Sequence, residues 1–237
     1  IMESELVIVN NTPVFVDQHF SLTTRDLKEC IGMVNHKFRL LKDRTEKMSL
    51  NIFQVIDFRM LSGLVGELLV TNISESISHL YKNPNIDGYP DLLNCSTVDK
   101  KEIVDHWKKT DPSKFILFPF GGIEVKNTFG TKKSGVKIPH AKSRVSHIQG
   151  RLQWKAHHQS TNHLLALFSD FIDDCPQIVA AFYSENLEES DWTEKQQPKE
   201  GSAMTSFSVT RPSGWRKLRD GIRICNGRRE YLDYLGV

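Results

Sequence analysis

Two long stretches with apolar residues at helical spacing give way to short apolar runs separated by turn formers. This change of period constrains the fold more than any single motif. Residues 24–48 place Leu27, Ile31, Val34, Phe38, Leu41 and Met48 on one stripe, as a helix packed along one face requires. The stripe suits either a core face or a contact between subunits. Residues 57–81 set Leu61, Leu64, Val65, Leu68, Ile73, Ile77 and Leu80 on a second apolar face. Gly63 and Gly66 interrupt that helix, each costing about 1 kcal/mol relative to alanine, and Glu67 follows them directly. Close approach of another backbone or of a ligand is the compensation such glycines suggest.

From residue 83 the pattern shortens. The segment Asn83-Pro84-Asn85-Ile86-Asp87-Gly88-Tyr89-Pro90 is dense in turn formers, and Leu92-Leu93 predicts a short strand. A helix is expected over residues 98–109, stopped by Asp111-Pro112, then a long strand over 115–126 with Pro119 and Gly121-Gly122 marking a bend or bulge. Residues 130–139 read as a basic loop and 142–158 as a helix. Strands are expected over 163–172, 177–184 and 204–210, with a polar, mobile loop over 185–202. Helices and strands alternate, which predicts an α/β fold: a mixed central β-sheet flanked by helices, with N-terminal helices. A chain of 237 residues suits a single domain. It divides into an N-terminal helical part (1–56), a core (57–184) and a C-terminal loop, strand and basic tail (185–237).

With 39% hydrophobic and 25% charged residues, the composition is that of a folded globular protein, and no apolar run approaches the roughly 18 residues of a membrane span. The opening residues Ile1-Met2-Glu3-Ser4-Glu5 have neither the basic flank nor the apolar stretch of a signal peptide. Cys30, Cys95, Cys175 and Cys225 lie far apart and form no C-x-x-C pair, so reduced thiols and a cytoplasmic location are expected.

Net charge says little as a sum, but its distribution is informative. Residues 125–169 contain no Asp or Glu, yet carry Lys126, Lys132, Lys133, Lys137, Lys142, Arg144, Arg151 and Lys155. Folded onto one face, such a block attracts a phosphate backbone.

Beside the start of that block stands Gly121-Gly122-Ile123-Glu124-Val125-Lys126, 33 residues after the Asp of Gly88-Tyr89-Pro90-Asp91-Leu92. In a strand, Glu124 and Lys126 share a face while Ile123 and Val125 point into the core. With Asp91 on a neighbouring strand, two carboxylates and the Val125 backbone carbonyl suffice for Mg²⁺, which keeps several waters. Asp87, four residues before Asp91, is an alternative ligand. Lys126 is placed to orient or deprotonate a water, or to neutralise developing charge. The bare triplet carries little weight, since Asp26-Leu27-Lys28 has the same form within a helix. Its weight comes from the alternation around it, the Pro-Asp step before it and the acid-free block after it.

Pro90-Asp91 with Glu124-Val125-Lys126 resembles the PD-(D/E)XK nuclease superfamily, in the style of type II restriction endonucleases. The order of predicted elements over residues 57–172 is similar to that superfamily's αβββαβ core. The resemblance implies Mg²⁺-dependent hydrolysis of double-stranded DNA to 5′-phosphate and 3′-hydroxyl ends. It also implies metal binding by Asp91 and Glu124, Lys126 near the attacking water, and Glu67 as the further catalytic acid on the preceding helix. A helix between the two halves of the motif departs from the shorter connection usual there.

Two other regions are DNA-binding candidates. On a helix over 142–158, Arg144, His147, Arg151, Lys155 and His158 fall within about 80° of arc, beside an apolar stripe of Val145, Ile148, Leu152 and Ala156. Gln149 and Gln153 are candidate groove or active-site contacts. The spacing of His157, His158 and His163 fits no zinc motif. Near the C-terminus, Arg211, Arg216, Lys217, Arg219, Arg223, Arg228 and Arg229 face one acid, Asp220. They suit guanine or phosphate contacts, or a solvated tail. Ser206, Ser208 and Thr210 would share a strand face suited to base contacts. The expectation is a sequence-specific, homodimeric DNA endonuclease. A structure-directed repair or recombination nuclease and a non-catalytic DNA-binding protein are the alternatives.

Overall fold

The computed structural model describes residues 6–156, 162–197 and 206–237. The chain enters the sheet at once: β1 (Leu6–Ile8) pairs antiparallel with a strand near the C-terminus. A hairpin of β2 (Val14–Asp17) and β3 (Phe20–Leu22) precedes α1 (Thr24–Glu46). The first part of the chain is therefore strand and helix together, not purely helical.

Thr23 caps α1, its side chain accepting from the Asp26 N–H, which satisfies one of the orphan donors of the first turn. Leu27, Ile31, Val34 and Phe38 are buried, whereas Leu41 and Met48 at the far end of the stripe are exposed. The buried Asn35 side chain donates to the Ile178 carbonyl (3.0 Å) and accepts from the Ile178 N–H (2.8 Å).

Asp57 caps α2 (Phe58–Ser76), and α2 gives way to β4 (Leu80–Lys82). The apolar period runs on to Leu80, but antiparallel pairing of Leu80 with Asn94 and of Lys82 with Leu92 overrides it. Their partners lie in β5 (Leu92–Asn94), which α3 (Val98–Thr110) follows. The expected strand over 115–126 forms only as β6 (Gly122–Thr128). Ahead of it, Phe115, Phe118 and Phe120 collect with Trp107, Leu93 and Val104 in a cluster of their own. Gly121 and Gly122, at φ 73° and 149°, then turn the chain into the sheet. A Cβ on Gly122 would lie 1.9 Å from the Leu92 carbonyl oxygen, so only glycine allows β6 to lie against β5 there.

The helix expected over 142–158 does not form. The segment is irregular, with one 3-10 turn at Val145–His147 and the short β7 (Lys155–Ala156). Its backbone bonds go to distant partners. Asp170 accepts from the N–H groups of Arg144 (2.7 Å) and Val145 (3.2 Å) and from the Ser143 hydroxyl, and the Trp154 N–H goes to Thr210 Oγ1. Gly150 at φ 61° also departs from helical geometry. Val145, Ile148, Leu152 and Ala156 are nonetheless all buried, so the spacing reported burial correctly and the period wrongly. His157 and His158 lie outside the described residues. Within them, the second helix of an αβββαβ order is thus a loop.

β8 (Leu164–Ile172) runs parallel to β6, and β9 (Cys175–Ser184) returns antiparallel to it. The stretch after β9, read as a mobile loop, buries Leu187, Asp191 and Trp192, and Lys217 pairs with Asp191 at 2.7 Å; residues 198–202 lie outside the described ones. Of the strand expected over 204–210, β10 (Ser208–Val209) forms and pairs with β7; residues 204 and 205 again fall outside. The C-terminus is no solvated tail. It holds α4 (Pro212–Asp220), β11 (Ile222–Asn226), buried throughout, and α5 (Arg229–Leu235).

Among the described residues the main sheet has seven strands in the order β1-β11-β9-β8-β6-β5-β4, with β6–β8 parallel and the other pairings antiparallel. One core cluster joins α1 and α2 to the sheet, and a second joins residues 145–156, α4 and α5 to it. This is a mixed α/β sheet covered by helices on both faces. No helix of the described residues is long and apolar enough to cross a membrane. The four cysteines are free and buried.

Candidate active site

Beyond the end of β5 the sheet opens. By the antiparallel register that pairs Leu92 with Ile123 and Leu93 with Gly122, Asp91 falls opposite Glu124 and Pro90 opposite Val125. Proline has no N–H to give, so it offers the Val125 carbonyl no ladder bond. The Val125 N–H instead donates to Asp91 Oδ2 at 2.8 Å, and the Asp91 N–H reaches Glu124 Oε2 at 3.3 Å. Lys126 Nζ stands 2.5 Å from Glu124 Oε1 and 3.3 Å from Asp91 Oδ2. Ile123 and Val125 are buried in the core cluster under α1 and α2. The next layer is equally fixed: Asn127 donates to Ser62 Oγ and accepts from Ser169 Oγ, tying β6 to α2 and β8.

Glu124 is 3% exposed. Burial pushes its carboxyl up to about 7, against the pull of Lys126 and with the push of Asp91. Burial alone would lower the Lys126 amine, but the carboxylates of Asp91 and Glu124 outweigh it and hold the amine above the ordinary lysine range.

Asp91, Val125 and Lys126 lie on the wall of a cleft of about 660 Å³ that α2, the 129–131 turn and the β7–β10 ribbon complete. Glu67 also lines it, and pairs with Lys82 at 2.6 Å. Asp87 is exposed in the preceding turn and does not line the cleft, so Asp91 is the acid that meets Glu124 and Lys126. Among the described residues no group of three or more His, Cys, Asp or Glu could hold a metal. A cation here would rest on Asp91, Glu124, the Val125 carbonyl and water. That donor set suits a hard ion such as Mg²⁺ and not a closed zinc site.

No family model, curated protein or solved structure matches the chain.

The basic candidates scatter. Arg144 and Lys155 line the cleft, although not as neighbours on a helix. The Arg144 guanidinium donates to the carbonyls of Phe129 and Gly130 and covers the Phe58 ring. Arg151 is half-buried and its Nε has no hydrogen-bond partner among the described residues. Lys132, Lys133 and Lys137 are exposed on the 130–139 loop, outside the cleft. Arg211 and Arg216 are exposed at and near the start of α4, also outside it. The hydroxyls of Ser208 and Thr210 do not present a binding face, because both residues are buried and Thr210 Oγ1 accepts from Trp154. Arg59 went unnamed in the sequence, yet it lines the cleft with Ser62, Gly63, Gly66 and Glu67. Positions 59, 63 and 66 lie on one helical face, and reading backward from Glu67 at that spacing finds it. No Cβ added at Gly63 or Gly66 would meet an atom within 4 Å. The two glycines therefore face open cleft, not a packed neighbour.

Proposed function

We propose that this chain is a Mg²⁺-dependent, sequence-specific double-stranded DNA endonuclease of the type II restriction kind, with a PD-(D/E)XK site. One observation carries the reading: on the wall of a cleft lined by Arg59, Arg144 and Lys155, the Lys126 ammonium touches both Asp91 and the buried Glu124 behind it.

Asp91, Glu124 and the Val125 carbonyl would hold Mg²⁺, which supplies Lewis acidity toward the scissile phosphate. Lys126 has three N–H bonds, of which the two carboxylates take two. The third is left to orient the attacking water or to donate to a phosphate oxygen as charge builds on it. Arg59, Arg144 and Lys155 place positive charge where the strand backbone would lie. The bare α2 wall at Gly63 and Gly66 leaves room for that backbone. A homodimer with two-fold symmetry would match a palindromic site and cut both strands.

The test is digestion of plasmid DNA with Mg²⁺. The protein should release fragments of defined length bearing 5′-phosphates. Asp91→Ala and Lys126→Ala should each lower cleavage at least about 100-fold while DNA binding persists. Wild-type rates in Asp91→Ala would place the chemistry elsewhere. Cleavage at junctions or lesions without fixed fragments would make the protein a structure-directed nuclease instead.

A further inference from the structure

The β7–β10 ribbon forms the cleft wall facing α2, and its conformation is set from behind. Trp154 is fully buried, its indole N–H donating to the Leu167 carbonyl at 2.8 Å. Its backbone N–H goes to Thr210 Oγ1 (3.1 Å), and its carbonyl accepts from the Thr210 N–H (3.1 Å). Ala156 is buried on the same side. Alternation then turns Gln153 and Lys155 to the other side, where both line the cleft with Val209, the residue paired to Lys155.

The charged groups of this cleft have partners, Arg59 in Asp57 and Glu67 in Lys82 among them. Lys126 holds its two acids, Arg144 its two carbonyls, and Lys155 the Phe207 ring at 4.3 Å. The amide of Asn127 is taken at both ends, by Ser62 and Ser169. Gln153 differs. It is half-buried, and its amide makes no hydrogen bond to any described residue. The amide thus stands in the cleft wall with no partner among the described residues, open to a ligand that enters the cleft. Phosphates favour the cationic groups already present. A planar amide, with a donor and an acceptor side by side, matches the N6–H and N7 edge of adenine in the major groove, which admits a two-stranded β-ribbon.

We propose that Gln153 is a specificity-determining residue that reads an adenine of the DNA site, a role that rests on the nuclease reading above. The experiment is digestion of a fully sequenced genome with Mg²⁺ by the wild type, Gln153→Ala and Gln153→Glu, followed by sequencing of the ends. Wild-type ends should define a site containing an A·T pair. Gln153→Ala should keep the thermal midpoint, cleave that site roughly tenfold to a hundredfold more slowly, and accept other bases at the A·T position. Gln153→Glu, an acceptor only, should move the preference there toward cytosine. Should Gln153→Ala fail to fold, the base chosen by Gln153→Glu decides. An unchanged site at an unchanged rate, or an equal loss at every sequence, would overturn the role of Gln153 while leaving the nuclease intact. A wild type that does not cut would overturn both.

Discussion

Lys126 occupies the space between two carboxylates, one of them almost wholly buried. An ammonium there balances charge that a divalent cation would otherwise balance. Lys126→Ala should therefore bind Mg²⁺ at least as tightly as the wild type by calorimetry while losing cleavage, whereas Asp91→Ala should lose both. Parallel loss of affinity in the two variants would mean that Lys126 builds the site and does not compete for it. A second carboxylate is held as firmly on the far side of β5. Burial alone would raise the Asp17 carboxyl, but hydrogen bonds from Lys100 (2.6 Å), Asn94, Ser96 and the His19 N–H hold it well below its ordinary range. A carboxyl depressed on folding stabilises the native state above its unfolded value near 3.9, and this contribution is lost as pH falls through the lower folded value. Asp17→Asn should cost about 2 kcal/mol at pH 7. The difference from wild type should shrink below about pH 4, as denaturant titrations across that range would show.

At the scale of elements, α2 carries the sharpest contrast between stability and function. Gly66 lies in a helix interior with open space around any added Cβ. Gly66→Ala should raise stability by about 1 kcal/mol and yet slow cleavage, because the new methyl group enters the cleft. Stability and activity rising together would mean that no ligand uses this wall. Gly122→Ala is the opposite case: its Cβ would collide with the Leu92 carbonyl, displacing β5 and Asp91 with it. How far these elements were legible in the sequence follows from where their hydrogen bonds go. Helices α1, α2 and α3 satisfy themselves locally and carry capping residues at Thr23, Asp57 and Thr97, so their starts could be read directly. The Glu124–Lys126 face was legible because strand alternation needs no knowledge of partners. Residues 142–156 were not, since Asp170, Thr210 and Leu167 lie far along the chain and their bonds outcompete the local helical ones. The same blindness hid β1 and β11, whose mutual pairing spans nearly the whole chain.

For the whole molecule, the formal net charge of +2 gives little general attraction to DNA, so under the proposed function any affinity would have to come from where the cations stand. The acid-free run does not form one face: Lys126, Arg144 and Lys155 line the cleft, while Lys132, Lys133 and Lys137 project from a loop outside it. Arg59 joins the cleft from a helix more than sixty residues earlier. Each cation that neutralises a phosphate contributes close to one unit to the slope of log affinity against log salt. Arg59→Ala and Lys155→Ala should each flatten that slope by about one unit, and the double variant by about two. Arg229→Ala, on α5 and paired with Asp233, should leave the slope unchanged. The measurement is equilibrium binding to one duplex over a series of salt concentrations, with Ca²⁺ in place of Mg²⁺ to suppress cutting. A slope unmoved by Arg59→Ala and Lys155→Ala, but flattened by Arg229→Ala, would put the DNA on a different face of the sheet. The Asp91–Glu124–Lys126 cluster would then be a structural ion pair.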